Sequence, residues 1–168
     1  LPIWAGFILA VNALAVKRSG TCLILRRPLG FLLLFPLSAG FWWFFEYLNR
    51  FVQNWYYAGV RLSAQEYFWY ATLAFSTVLP AVMSSREWMS SFSWPEKKFG
   101  RFLPINLGRR GIAARILLVL SAGGLAGIGV LPDLLFPLLW VSPLLVILSL
   151  QAIAGERHIF SDVVHGDW

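Results

Sequence analysis

The chain has 168 residues, of which 58% are hydrophobic and only 13% are charged, whereas a soluble domain is about 45–50% apolar and about 25% charged. This composition excludes an ordinary soluble globule and predicts an all-α, polytopic integral membrane protein. The net charge of +6 would favour nucleic acid as a partner of a soluble protein, but in a membrane protein Lys and Arg report topology first. No nucleic-acid partner is therefore expected.

Apolar runs long enough to cross a bilayer predict about five membrane-spanning helices within a single transmembrane domain over residues 1–168. The predicted helices cover residues 1–16, 28–48, 66–83, 112–130 and 134–154. Gly20 marks the end of the first helix, and Pro28 suits the first turn of the second. The single cysteine, Cys22, permits no internal disulfide.

Polar residues inside these runs predict contacts between helices. Asn12, Ser38, Ser76 and Thr77 are expected to form hydrogen bonds with neighbouring helices. Ser76, Thr77 and Pro80 predict a bend in the third helix, where side-chain hydroxyls would bind the backbone groups that proline frees.

Small residues on the fourth predicted helix indicate close packing of helices. Gly123, Gly124 and Gly127 are spaced so that another helix could approach its backbone. Asp133, beside Pro132, is expected to act as the N-cap of the fifth helix.

The distribution of positive charge predicts the orientation of the chain. Twelve of the 14 Lys and Arg residues lie on one side, eleven of them on the connections after the first, third and fifth helices and Arg115 in the first turn of the fourth helix, and only Arg50 and Arg61 lie on the opposite side. By the positive-inside rule the basic side is cytoplasmic. Residues 84–111 are predicted to be a basic cytoplasmic loop that binds anionic lipid headgroups.

A loose internal similarity links residues 2–20 with residues 137–157. Both runs would cross the membrane in the same direction, so the architecture could begin a parallel repeat. A complete second copy would require further residues, and the chain is therefore expected to be a fragment of a longer protein.

The densest polar cluster is predicted near the end of the second helix. Glu46, Asn49 and Arg50 would share one helical face beside many aromatic rings. If the helix ends near Phe45, the segment is an aromatic belt with a surface pair between Glu46 and Arg50. If the helix continues to about Phe51, Glu46 lies inside the apolar band and requires a partner, a cavity or a proton pathway.

Both histidines of the chain follow the last predicted helix. His158, Asp162 and His165 would share one face of a helix and form a weak candidate metal site, although a solvated segment after the membrane is the preferred interpretation. No histidine lies inside a predicted span, so a haem ligated within the membrane is not expected, and no cofactor is predicted. The sequence also contains no catalytic motif of a known class.

Three segments, 42–49, 54–57 and 75–81, read WWFFEYLN, NWYY and FSTVLPA. Together they resemble a family of uncharacterised bacterial polytopic membrane proteins in which a later pair of motifs is similar to a second copy of the first. The resemblance implies a polytopic protein of the bacterial cytoplasmic (inner) membrane, without an established activity. It also adds residues to the candidate polar site, whose full set is Glu46, Asn49, Arg50, Asn54, Trp55 and Tyr57.

The sequence leaves two functions open. The first is a non-catalytic membrane subunit that packs against lipids and other transmembrane subunits, as the glycines of the fourth helix indicate. The alternative is a small transporter or lipid-modifying enzyme that uses Glu46 and Asn49.

Overall fold

The computed structural model describes residues 2–59, 61–94 and 110–156. Within these ranges the regular structure is entirely helical, which confirms the predicted all-α class. The helices are α1 (Pro2–Ser19), α2 (Leu23–Arg26), α3 (Pro28–Val52), α4 (Ala64–Ser76), α5 (Val78–Ser90), α6 (Arg110–Gly127) and α7 (Pro132–Ala154). By length and composition, α3 and α7 are able to cross a membrane, and α6 contains a shorter apolar stretch.

Contacts divide the chain into two compact units. The first comprises Leu1–Glu46 and Tyr57–Ser93, and the second comprises Tyr47–Tyr56 and Trp94–Trp168. The boundary therefore falls inside α3. Two contact units are compatible with one transmembrane domain, because helices in lipid gain no hydrophobic free energy by packing against one another. The single transmembrane domain over residues 1–168 stays a prediction.

Several helices differ in length from the prediction. The second predicted helix was placed at 28–48, but α3 continues to Val52. The predicted end at residue 48 is wrong, because the aromatic run stays helical and the Asn49 carbonyl still accepts the Gln53 N–H at 2.8 Å. The first helix, predicted at 1–16, extends to Ser19 and ends at Gly20, whose positive φ of 76° suits a helix C-terminus.

The third predicted helix, 66–83, is two helices in the structure. The chain breaks at Thr77 between α4 and α5, because Pro80 has no N–H to donate to the preceding turn. The Ser38 hydroxyl of α3 binds the backbone on both sides of the break. It donates to the Phe75 carbonyl at 2.5 Å and accepts the Leu79 N–H at 3.0 Å. The predicted interruption of this helix and the predicted interhelical bond of Ser38 are confirmed. The predicted interhelical bonds of Ser76 and Thr77 are wrong, because their hydroxyls donate to the Leu73 and Ala74 carbonyls of α4.

The predicted loop at 84–111 also needs correction at its ends. Residues 84–90 belong to α5, because its helical hydrogen bonds continue past Pro80. Residues 110–111 belong to α6. Residues 95–109 lie outside the described residues.

In the first unit, α1 packs along α5. Asn12 is 4% exposed and donates from Nδ2 to the Ser84 hydroxyl at 2.7 Å, as its position in an apolar run predicts. Ile8, Phe31 and Ala81 form the apolar cluster beside this bond. A polar contact between α1 and α5 thus lies next to the packed core.

In the second unit, α6 and α7 form an antiparallel hairpin. The fourth and fifth helices were predicted at 112–130 and 134–154, whereas α6 ends at Gly127 and α7 begins at Pro132. Leu131 is the N-cap residue of α7. The expected N-cap role of Asp133 is wrong, because Pro132 takes the first helical position and leaves Asp133 as the second.

Candidate functional site

The end of α3 is fastened to the following segment by Asn49. Its Nδ2 donates to the Trp55 carbonyl at 2.7 Å, and its Oδ1 accepts the backbone N–H of Asn54 at 2.8 Å and that of Trp55 at 3.3 Å. Both polar ends of the side-chain amide are therefore engaged with backbone. Asn49 acts here as a structural clamp for residues 53–55.

The chain leaves α3 through a left-handed residue. Gln53 has a φ of 49° and is the one non-glycine residue with positive φ in the described parts of the chain. A non-glycine residue in this region costs about 1–3 kcal/mol and persists only where its surroundings impose it. The Asn49 clamp directly after Gln53 supplies that constraint.

The second fastening lies in the first unit and joins Glu46 with Tyr57. The Tyr57 hydroxyl donates to Glu46 Oε1 at 2.5 Å. Glu46 is half-buried on α3, and the Tyr57 ring lies 6.0 Å from that of Tyr67. A carboxylate near the end of an apolar helix is thereby paired with a phenol from the loop.

Burial and the neighbouring carboxylate change the acidity of Tyr57. Loss of hydration on burial, followed by the hydrogen bond to Glu46 and its negative charge, raises the pKa of Tyr57 from 10.0 to about 12. The Trp42 indole is near the same hydroxyl and lowers its pKa, although no hydrogen bond forms between them. Its buried Nε1–H has no partner within hydrogen-bonding distance among the described residues.

The remaining residues of the predicted polar site have separate positions. Arg50 is exposed in the last turn of α3, where a cation stabilises the helix C-terminus. Trp55 lies against Trp140 of α7, with ring centroids 5.3 Å apart. Asn54 lines an open cleft near the start of α7. The structure thus pairs Glu46 with Tyr57, and it joins Asn49 to the backbone of Asn54 and Trp55.

The three glycines of α6 differ in their surroundings. A Cβ on Gly124 would lie 2.5 Å from Leu138 Cδ1, and one on Gly127 would lie 2.8 Å from Leu135 Cδ1, so both glycines face α7. A Cβ on Gly123 would meet nothing within 4 Å. Two of the three glycines therefore serve packing within the chain.

Sequence reasoning missed three residues of this structure. Gln53 carries no signal in the sequence, since left-handed geometry in a residue other than glycine arises only from the fold. Trp42 lies in the segment 42–49, but the sequence does not indicate that its N–H is unpartnered. The third, Glu87, accepts from the Leu23 N–H and pairs with Arg26. The spacing of 61 residues between Glu87 and Arg26 could not be anticipated from local pattern.

The weak metal candidates His158, Asp162 and His165 lie outside the described residues. Within the described ranges, no group of three or more His, Cys, Asp or Glu side chains is placed to hold a metal ion.

Comparison with models of known families, with curated proteins and with solved structures finds no match to this chain.

Proposed function

We propose that the chain is an integral protein of the bacterial cytoplasmic membrane and acts there as a non-catalytic subunit of a larger membrane assembly. In this proposal α1, α3, the α4–α5 pair, α6 and α7 provide the five crossings predicted from the sequence. The parallel repeat and the longer parent chain remain predictions.

Apolar side chains on helix surfaces support a membrane location. Leu29 of α3 is 71% exposed, Val119 of α6 is 69% exposed and Leu134 of α7 is 72% exposed. Removing a side chain of this kind from water contributes about 1.5–3 kcal/mol. Lipid acyl chains, or the helices of another subunit, would cover these surfaces.

The basic end of the first unit supports the predicted orientation. The Arg18 guanidinium lies 3.9 Å from the centre of the Phe92 ring, and Arg26 pairs with Glu87, so the end of α1, α2 and the end of α5 lie together. The cations at this end are Lys17, Arg18, Arg26, Arg27 and Arg86. They suit a cytoplasmic surface with anionic headgroups as partners.

Engagement of the polar residues supports a structural role. Asn49 was a candidate for chemistry, yet both ends of its amide bind backbone. Glu46 binds the Tyr57 hydroxyl. In both cases the interactions hold a loop against the end of a helix.

The observation that carries the subunit proposal is the open face of α6 around Gly123. Ile116, Val119 and Leu120 on this face are each more than half exposed, and space remains around Gly123. A glycine within an apolar helical face allows the backbone of a second transmembrane helix to approach closely. The occupant proposed for this face is a helix of another subunit.

The test compares Gly123→Leu with Gly6→Leu, since Gly6 also has open space around it. Each protein is extracted from its own membrane into native lipid discs, and the particle mass is measured. We expect wild type and Gly6→Leu to exceed the mass of one 19.0 kDa chain plus lipid, and Gly123→Leu to fall to it. A single-chain mass for wild type would contradict the proposal, as would an unchanged assembly in Gly123→Leu.

A second candidate function is a small transporter or lipid-modifying enzyme. The unpartnered Trp42 Nε1–H beside the Glu46–Tyr57 pair favours it, because this donor could bind an oxygen of a ligand. Native mass spectrometry of the purified protein tests this function. A bound small molecule that is retained by wild type and lost in Trp42→Phe would support it, whereas identical spectra would exclude this site.

A further inference from the structure

A cleft of about 300 Å³ lies in the second unit between the end of α3 and the start of α7. Its walls are formed by Val52, Gln53, Asn54, Pro132, Asp133 and Phe136. Neither Glu46 nor Tyr57 lines the cleft, so it is a separate candidate site.

One wall of the cleft is held in an unusual conformation. Gln53 is left-handed, and the Asn49 side chain fixes the backbone of Asn54 directly after it. The two wall amides are thus attached to a constrained segment. A constrained wall is preorganised for binding, because less conformational freedom is lost when a ligand enters.

The opposite wall carries a carboxylate. Asp133 forms no hydrogen bond or ion pair with any residue in the described part of the chain, and it lies in the first turn of α7. A helix N-terminus contributes about half a positive charge, which is smaller than the full negative charge of Asp133. The proline before it contributes no N–H. The cleft therefore attracts a cation.

An aromatic ring stands one turn after this carboxylate. Phe136 is three residues beyond Asp133, so the two side chains share a face of α7, and Phe136 is 44% exposed. A ring face combined with a carboxylate is typical of sites for organic ammonium groups. A bare metal ion fits less well, because it would require several more oxygen ligands than one carboxylate and two amides.

We propose that this cleft binds an alkylammonium group, with Asp133 as the counter-ion and Phe136 as the ring that contacts the cation. The Gln53 and Asn54 amide oxygens would accept from the N–H groups of a primary ammonium such as ethanolamine and would lie against the methyl groups of choline. Two sources supply this chemistry: the headgroup of an ethanolamine or choline phospholipid, or a free amine. The lipid source rests on the proposed membrane location, since the end of α3 and the start of α7 would then lie at headgroup depth. The ammonium chemistry itself does not depend on that location.

The test uses the full chain in lipid discs made only of phosphatidylglycerol, which has no ammonium group. Choline and ethanolamine are titrated by calorimetry to measure the free source. In a parallel arm, phosphatidylethanolamine or phosphatidylcholine is added, and bound lipid is counted by native mass spectrometry. Binding in the first arm alone identifies a free amine, and lipid retention identifies the headgroup.

The variants are Asp133→Asn, Phe136→Leu and the control Glu156→Gln, which removes an exposed carboxylate at the far end of α7. Loss of a charged hydrogen-bond partner should weaken binding by about tenfold or more, and loss of the ring by about threefold. Glu156→Gln should bind as wild type does, and all variants should retain the wild-type melting temperature.

Two results would overturn the proposal. One is wild-type protein that binds neither probe in either arm. The other is Asp133→Asn protein that binds with wild-type affinity. Neither result depends on whether the chain assembles with other subunits, so failure here is distinguishable from failure of the proposed function.

Discussion

The Asn49 side chain donates to the carbonyl of Trp55 at 2.7 Å and so ties the end of α3 to the residues that follow it. In the first unit, Tyr57 donates to Glu46 at 2.5 Å. The segments 42–49 and 54–57 are thus joined by two helical residues: Glu46 binds Tyr57, and Asn49 binds the backbone of Asn54 and Trp55. The polar residues of these two segments therefore have a structural role, which is to hold the segment after α3 against the helix.

Replacing Asn49 by Ala should release residues 53–55. Three hydrogen bonds are lost at about 1 kcal/mol each, so we expect a loss of about 1–3 kcal/mol in unfolding free energy. Hydrogen exchange at the Asn54 and Trp55 amides should accelerate at the same time. Asn54→Ala is the control, because only the backbone of Asn54 joins the clamp. Equal exchange rates in wild type and Asn49→Ala would refute the clamp.

Replacing Ser38 by Ala should destabilise the contact between α3 and the α4–α5 break. The variant leaves the Leu79 N–H and the Phe75 carbonyl without their side-chain partner, which costs about 1–3 kcal/mol. Ser76→Ala should cost less, because its hydroxyl binds only the Leu73 carbonyl of its own helix. Thermal unfolding in detergent measures both, and a larger effect at Ser76 would contradict the role of Ser38.

Replacing Gly124 by Leu should separate α6 from α7. Even a Cβ would overlap Leu138, and overpacking of this kind costs about 1–3 kcal/mol. Gly123→Leu should leave the hairpin intact and gain up to about 1 kcal/mol from helix propensity. In a detergent that separates the chain from any other subunit, the melting temperatures of the two variants should therefore move in opposite directions, and a similar loss in both would show that the packing faces are misassigned.

Alkaline pH should weaken the Glu46–Tyr57 contact. The pKa of Tyr57 is raised to about 12, first by burial and then by Glu46, so the folded protein holds this proton more tightly than the unfolded chain does. The stabilisation is fully present below pH 10 and is lost as the pH rises from about 10 to about 12. Ultraviolet titration of tyrosinate should show a group near pH 12 that disappears in Tyr57→Phe. An identical titration of the two proteins would contradict the contact.

Local pattern predicts much of this fold because helix signals lie close together in sequence. Pro28 and Gly20 mark ends that the structure retains, and Asn12 and Ser38 form the interhelical bonds that polar groups in apolar runs require. The sequence predicted only a bend at Thr77. The full break is stabilised by the Ser38 hydroxyl, and Ser38 lies 37 positions before its partner Phe75.

The site was less predictable for the same reason. Glu46 and Asn49 share a helical face, which suggested one joint polar site with Arg50. Their partners come from the loop, and the path of that loop depends on the left-handed Gln53. Sequence spacing carries no information on that backbone conformation in a residue other than glycine.

In the proposed function the chain crosses the membrane with its basic ends in the cytoplasm. Replacing the single Cys22 by Ser allows one new cysteine at a time to be placed at an exposed position and labelled from either side of sealed vesicles. The account predicts that Lys17→Cys and Glu156→Cys react from the cytoplasmic side only, and that Ala58→Cys and Val130→Cys react from the opposite side only. Labelling of all four positions from the same side would contradict it.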